Sequence, residues 1–222
     1  MLIGHYSAAF VAATSPRAPR LGTLFVAAQL VDLAFFSFVL LGVEHMRLVP
    51  GITATNPMDL YDMPWTHSMV GALAWSAGFA LLIRLWSRST PTALIGGAVV
   101  FSHWLIDLFV HRPDLTLAGG SPPFGLGLWN YPAIEMPLEL ALAFGALAWF
   151  VRKTRGPWVP VAALAVAMVA FQAFNWFGPE PKTIVDPPPP SLAILGLLAY
   201  VLLALLAWWV GQARILKVGV EG

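Results

Sequence analysis

The 222-residue sequence contains no cysteine and few charged residues. The absence of cysteine excludes disulfides, thiolate metal sites, iron–sulfur clusters and cysteine nucleophiles. Only 10% of the residues are charged, whereas a soluble domain needs roughly 25% to cover its surface. The net charge of +1 gives no reason to expect nucleic acid as a partner. With 59% hydrophobic residues, the composition predicts an integral membrane protein surrounded by a lipid bilayer.

Six apolar stretches are long enough to cross the roughly 30 Å hydrocarbon layer as helices. They cover residues 21–43, 66–86, 92–111, 129–151, 157–177 and 191–213. We therefore predict an all-α fold in which residues 1–222 form a single polytopic membrane helix bundle. Residues 1–14 are apolar but too short to cross, so they predict a half-spanning or interfacial helix packed against the bundle.

Basic residues accumulate at alternate connections between the predicted spans. Nine of the 12 Lys and Arg residues fall on one side, including the cluster Arg152, Lys153 and Arg155. The opposite loops are mainly acidic, with Asp59 and Asp62 as examples. By the positive-inside rule, this pattern predicts a multi-pass protein of the plasma (inner) membrane with both termini in the cytoplasm.

Ionisable residues inside a bilayer cost several kcal/mol unless they are paired or hydrated, so each indicates a functional site. In the third predicted span, His103, Asp107 and His111 are four residues apart and share one helical face. Counting about 1.5 Å per residue from the cytoplasmic end places Asp32 and His103 near the mid-plane. Asp107 and His67 lie closer to the outer face on the same count.

These side chains, together with His5 of the N-terminal segment, predict a metal site. Imidazole and carboxylate are the ligands of zinc, iron and manganese where thiolates are missing. We expect a divalent metal ion, zinc first and manganese or iron as alternatives. The predicted ligands are His5, Asp32, His67, His103 and Asp107. Glu135, His111 and Asp62 are candidates for proton transfer or ligand orientation, and Glu135 is the predicted catalytic residue.

Structural roles are open for the same residues. A single buried His or Asp in a membrane helix often forms a structural pair. Glu135 and Glu139 lie near the outer end of their helix, where a carboxylate can be solvated. His45 is expected to be a solvated loop residue, and His111 can close its helix through a favourable dipole contact.

At these residues the sequence resembles a family of inner-membrane metal-dependent hydrolases described as LexA-binding. The family pattern has an N-terminal His, an Asp in the next helix, a Thr-His-Ser that opens a later helix, and a Ser-His-x-x-x-Asp type motif. The corresponding positions within residues 1–110 are His5, Asp32, Thr66-His67-Ser68, and Ser102-His103 with Asp107.

The chain departs from that family pattern at two places. Val31-Asp32-Leu33 stands where the family has Pro-Asp-x-Asp, and Asp62-Met63 stands where it has His-Arg. The resemblance implies a metal-dependent hydrolase, with Asp62 as a substitute ligand at the family's His position. The missing His and acid imply one metal ion in place of two, or a loss of the chemistry.

The leading functional hypothesis is a membrane-embedded hydrolase in which metal-activated water attacks an ester or phosphoester of an amphiphilic, lipid-like substrate. A proton-coupled transporter would use the same residues as a relay, although no internal repeat is visible. Haem or quinone binding would need two facing histidines, and a structural subunit of a membrane complex would tolerate replacement of all these residues. Small residues such as Gly96 and Gly97 also allow an oligomer through close helix packing.

Overall fold

Helices make up most of the protein, of which a computed structural model describes residues 1–217. The helices are α1 (Tyr6–Ala12), α2 (Leu21–Ala28), α3 (Leu30–Leu41), α4 (Met69–Ser87), α5 (Thr90–Val110), α6 (Pro132–Lys153), α7 (Val159–Phe177) and α8 (Pro190–Ala213). Short strands are β1 (His45–Leu48), β2 (Met58–Asp62), β3 (Thr154–Arg155) and β4 (Ile215–Leu216).

Five of these helices, α4 to α8, are long and apolar enough to cross a membrane. They coincide with five of the predicted spans to within a few residues at each end. Large apolar side chains such as Leu81, Leu85 and Trp86 point outwards and are more than half exposed. A mostly helical protein with several apolar spanning helices is therefore confirmed, and its outer surface suits contact with lipid.

The first predicted span, 21–43, is not one straight helix. α2 and α3 meet at Gln29 and are bent by 53°. Gln29 leaves the helical conformation, with φ −113° and ψ 12°, and its side-chain amide donates a hydrogen bond to the carbonyl oxygen of Leu2 at 2.8 Å. A polar side chain that turns into the bundle thus accompanies the bend. Counted as one span, the bent pair raises the number of candidate spans from five to six.

α5 lies at the centre of the bundle and carries the predicted motif. It is the most buried of the long helices and packs closely against α4. A methyl group added at Gly97 would lie 3.1 Å from the Cβ atom of Ala80, which shows how small residues let the two helices approach. This packing buries His103 and Asp107 to 1% exposure each.

The N-terminal segment belongs to the core of the bundle. α1 is only seven residues long, and its Tyr6, Ala9 and Phe10 are completely buried against α2 and α6. The prediction that this segment packs against the bundle is therefore confirmed.

The all-α prediction misses two short antiparallel sheets. β1 pairs with β2 in a hairpin inside the loop 44–65, where Met46 and Leu60 are buried. β3 pairs with β4, with Thr154 opposite Leu216, and so joins the end of α8 to the α6–α7 connection. Both sheets are too short for their alternation to stand out in an apolar sequence.

Arg214 also ties the end of α8 to the α6–α7 connection. Its buried guanidinium donates hydrogen bonds to the carbonyl oxygens of Val151, Thr154, Gly156 and Pro157, and to the Thr154 hydroxyl. We expect Arg214→Ala to lower the free energy of unfolding by about 2–4 kcal/mol, because several buried carbonyl groups lose their donor. Denaturation in detergent followed by circular dichroism measures the change.

Arg155→Ala is the matched control for this experiment, because Arg155 is an exposed arginine in the same short sheet. It should change the unfolding free energy by less than about 0.5 kcal/mol. Arg214→Lys should be intermediate, since an ammonium group cannot reach all the carbonyls that the guanidinium serves. Equal losses for Arg214→Ala and Arg155→Ala would show that the hydrogen bonds of Arg214 do not stabilise the fold.

Candidate metal centre

The structure brings all five predicted ligands to one place inside the bundle. His103 and Asp107 lie one turn apart on α5, and Asp32 lies in the first turn of α3. His67 lies just before α4, and His5 just before α1. Four of the five residues are at most 2% exposed, and the side chain of Asp32 is 16% exposed. Helices distant in sequence therefore converge on a single buried cluster.

Asp107 lies at the centre of this cluster. Its Oδ1 atom is 3.1 Å from Nε2 of His5 and 3.5 Å from Nε2 of His111. Its Oδ2 atom is 3.0 Å from Nε2 of His103 and 3.8 Å from Nε2 of His67. The Met1 amino group also donates a hydrogen bond to Oδ1 at 3.3 Å. One carboxylate thus faces four imidazole rings and one ammonium group.

Asp32 supplies a second carboxylate. Its Oδ1 atom is 3.4 Å from Nε2 of His67 and 3.5 Å from Nε2 of His103. Its Oδ2 atom accepts a hydrogen bond from the hydroxyl of Tyr200 on α8 at 2.9 Å. Two carboxylates that share one low-dielectric site repel each other and lose hydration, so a cation between them is favourable.

Three of the imidazole rings are held through Nδ1. The Nδ1 atom of His103 lies 2.8 Å from the carbonyl oxygen of Ala28, which can only accept, so this nitrogen carries a proton. The Nδ1 atom of His111 lies 2.9 Å from Oδ1 of Asp114, and that of His67 lies 2.8 Å from the hydroxyl of Thr66. A neutral ring held in this way turns the lone pair of Nε2 towards the carboxylates, as metal-binding histidines do.

Two overlapping sets of side chains can hold a metal ion. One set is His5, Asp32 and His103, and the other is His67, His103 and Asp107; in each set the ligand atoms lie within 4.8 Å of one another. His103 belongs to both sets. Its Nε2 atom and both ring nitrogens of His5 are buried without a hydrogen-bond partner among the described residues. Since unpartnered buried nitrogens are costly, the donor set fits a bound cation better than it fits a closed hydrogen-bond network.

His111 belongs to the cluster, whereas Asp62 does not. His111 is 3% exposed, and its ring packs on Trp129 with centroids 4.2 Å apart. Asp62 instead pairs with His45 at 2.7 Å on the hairpin formed by β1 and β2 (the outer hairpin), where both side chains are nearly half exposed. The expectation that Asp62 substitutes as a ligand is therefore wrong, because the hairpin register places it opposite His45.

Glu139 of α6 anchors the N-terminal segment beneath the cluster. Its Oε1 atom accepts hydrogen bonds from the backbone N–H groups of Leu2 at 2.6 Å and Gly4 at 3.0 Å. Its Oε2 atom accepts from the side-chain amide of Gln172 at 3.0 Å. These bonds place His5 beside Asp107, so Glu139 has a structural role rather than a solvated one.

Glu135, the predicted catalytic residue, lies one turn before Glu139. It is 1% exposed, and its Oε2 atom has no hydrogen-bond partner among the described residues. Glu135 does not line the cavity at the cluster. Among the described residues, no ion pair connects Glu135 with a histidine of the cluster.

A small cavity of about 60 Å³ lies between the cluster and the outer hairpin. Its lining includes Asp32, His67, Asp107 and His111 from the cluster, and Met58 and Leu60 from β2. A cavity of this size holds a few water molecules. The cluster is thus buried but has room for water on the side that faces β2.

A chain of ion pairs connects the outer hairpin with His111. Buried Asp59 accepts a hydrogen bond from Arg47 at 2.7 Å and another from Arg112. Nε of Arg112 lies 3.4 Å from Oδ2 of Asp114, the residue that holds His111. The hydrogen bond to Asp59, together with its negative charge, raises the pKa of Arg47. These contacts fix the hairpin over the cavity.

No family model, no curated protein and no solved structure matches the chain. The resemblance to LexA-binding metal-dependent hydrolases therefore stays a prediction. The geometry of the His/Asp cluster is the basis for the functional proposal.

Proposed function

We propose that the protein is a membrane-embedded, metal-dependent hydrolase whose centre is the buried His/Asp cluster. The metal is a divalent cation, with zinc preferred and manganese or iron as alternatives, since the ligands are imidazole and carboxylate groups. The proposed ligands are His5, Asp32, His67, His103 and Asp107.

The orientation of the imidazole rings carries this proposal. His67 and His103 both have Nδ1 occupied by an outer partner and Nε2 turned towards Asp32 and Asp107. The approach of His103 Nε2 to Asp107 is close, at 3.0 Å, yet it lacks hydrogen-bond geometry. Nitrogen and oxygen atoms that converge without bonding to one another are what a cation would bring together.

A bound divalent cation would supply the Lewis acidity that activates water for hydrolysis. The residues of the chain divide the other tasks. Asp32 and Asp107 provide two negative charges that balance a divalent ion. Of the three proton-transfer candidates, His111 lines the cavity, whereas Glu135 and Asp62 do not, so His111 is the best placed.

The proposed substrate is an ester or phosphoester of an amphiphilic, lipid-like molecule. The cavity combines apolar Phe35 and Trp129 with the amide groups of Asn56 and Asn175, a mixture that suits an amphiphile. At about 60 Å³, the cavity admits only the reacting group. The apolar chain of the substrate must therefore extend out of it towards the lipid.

The proposed topology has six spans, with the bent pair α2–α3 as one span and α1 as a half-span. The basic residues at alternate connections then place both termini in the cytoplasm of a cell whose plasma membrane holds the protein. In this orientation the outer hairpin and the cavity face away from the cytoplasm.

Elemental analysis of detergent-purified protein tests the metal centre. We expect about one or two transition-metal ions per chain in the wild type and a nearly complete loss in His103→Ala, because His103 belongs to both ligand sets. His45→Ala is the matched control, since His45 is exposed and paired on the hairpin. It should retain the full metal content.

Activity is tested on the same preparations. The metal-loaded wild type should hydrolyse a fluorogenic fatty-acid ester or phosphodiester in mixed micelles, and the chelated protein and His103→Ala should not. A wild type that takes up no zinc, manganese or iron on reconstitution would overturn the proposal.

A further inference from the structure

A buried chain of hydrogen-bonded side chains begins outside the cluster and ends at His67. Glu44, which is completely buried, lies between α3 and β1. Its Oε1 atom accepts hydrogen bonds from the backbone N–H groups of Trp65 at 2.7 Å and Thr66 at 2.9 Å. Its Oε2 atom accepts from the Thr66 hydroxyl at 2.6 Å, and that hydroxyl oxygen lies 2.8 Å from Nδ1 of His67.

The number of available protons fixes the direction of these bonds. A threonine hydroxyl has one proton, and the Thr66 hydroxyl donates it to the Glu44 carboxylate. Only lone pairs are then left on the hydroxyl oxygen, so Nδ1 of His67 must donate to it. A neutral His67 therefore presents the lone pair of Nε2 towards Asp32, 3.4 Å away.

We propose that Glu44 and Thr66 are positioning residues that select Nε2 of His67 as a metal ligand. The inference rests on the metal centre of the proposed function. An outer hydrogen bond to the second ring nitrogen fixes both the tautomer and the orientation of a ligating histidine. Glu44 follows the helix that carries Asp32, and Thr66 precedes the helix that begins after His67, so the same contacts hold two ligand-bearing segments together.

The two parts of this contact can be separated by substitution. The hydrogen bonds that the backbone N–H groups of Trp65 and Thr66 donate to Glu44 stabilise the start of α4, whether or not the cluster binds a metal ion. The hydroxyl of Thr66 alone connects Glu44 to His67. Thr66→Val removes the hydroxyl at nearly constant shape, and Thr66→Ser keeps it.

Zinc affinity, measured by competition with a chromogenic chelator, tests the proposal. We expect Thr66→Val to weaken zinc binding by about 10- to 100-fold, the usual cost of losing an outer partner of a ligand. Thr66→Ser should rescue the affinity to near the wild-type value. Thr53→Val is the matched control, because it removes a buried hydroxyl that bonds to the carbonyl oxygen of Asn56 and not to a ligand; it should bind zinc like the wild type.

The visible spectrum of the cobalt-loaded protein gives a second readout. Loss of the outer partner should shift the d–d bands of Thr66→Val but not those of Thr66→Ser or Thr53→Val. Only Thr66→Val removes the hydrogen bond that orients the ring of His67. Wild-type affinity and an unchanged spectrum in Thr66→Val would overturn the positioning role alone. Equal weakening in Thr66→Val and Thr66→Ser would also overturn it, since packing would then explain both. A wild type that binds no metal would overturn the proposed function and this inference with it.

Discussion

Asp107→Asn is expected to abolish metal binding while nearly preserving the shape of the side chain. The carboxylate of Asp107 faces the Nε2 atoms of four histidines, and the closest approach is 3.0 Å. An amide removes one of the two buried negative charges and replaces one acceptor oxygen with a donor. Affinity should fall by more than about 100-fold, since loss of an outer partner alone costs 10- to 100-fold. Metal content and zinc titrations measure this change.

Thermal unfolding separates this result from simple damage to the fold. Zinc at about 100 times its dissociation constant should stabilise the wild type by about 2.7 kcal/mol and should leave Asp107→Asn unchanged. Without metal, the variant should differ from the wild type by less than about 1 kcal/mol, because the amide oxygen can still accept the hydrogen bond of the Met1 amino group and the loss of one buried charge offsets the weaker contact. Asp62→Asn makes the same change at an exposed aspartate outside the cluster and should respond to zinc like the wild type. A variant that is destabilised in metal-free buffer, with no zinc effect in either protein, would show that the cluster is a set of structural ion pairs.

The convergence of His103, Asp107 and His111 could be predicted because it depends on one helix. Residues four apart share a face of any helix, and the apolar stretch 92–111 is long enough to cross a bilayer as one helix. Depth within the bilayer could also be counted along each span, which placed Asp32 and His103 at the same depth near the mid-plane, with Asp107 and His67 closer to the outer face. The five predicted ligands do lie together in the structure, although the sequence contained no direct information on which helices are neighbours.

Contacts that depend on irregular backbone could not be predicted in the same way. At the bend, the side chain of Gln29 donates a hydrogen bond to Leu2, 27 residues away, and periodicity shows no such long-range partner. Tyr200 lies in an apolar span, where an aromatic residue is ordinary, and only tertiary packing brings its hydroxyl to Asp32. Glu44 lies in an acidic loop and shows no sign of burial in the sequence, because burial of a loop carboxylate depends on the N–H groups around it.

Asp62 shows a limit of transferring a ligand from a family pattern. Its position shortly before Thr66-His67-Ser68 suited a substitute ligand. The pairing of Asp62 with His45 turns it away from the cluster. In the hairpin, Asp62 is opposite His45, and the two side chains pair near the surface. Short strands set the direction of each side chain by register, and the sequence gives no periodic signal for a strand this short.

Glu139→Ala should destabilise the protein by about 3 kcal/mol and also reduce its metal content. The carboxylate accepts two backbone hydrogen bonds from the segment before His5 and one from Gln172. Its removal leaves buried N–H groups without an acceptor, which costs about 1–3 kcal/mol for each group that finds no other partner. His5 should then lose its position beside Asp107, although Glu139 does not contact the proposed ion. Denaturation in detergent and elemental analysis measure the two effects.

Glu139→Gln separates the anchoring of the segment from the charge of the carboxylate. The amide oxygen can still accept the hydrogen bonds of Leu2 and Gly4, and only the bond from Gln172 has to rearrange. We therefore expect Glu139→Gln to keep the wild-type metal content and to lose at most about 1 kcal/mol of stability. Metal loss in both variants would mean that the negative charge near the cluster is needed for cation binding. Metal retention in both would mean that His5 is not a ligand, and the centre would then consist of Asp32, His67, His103 and Asp107 alone.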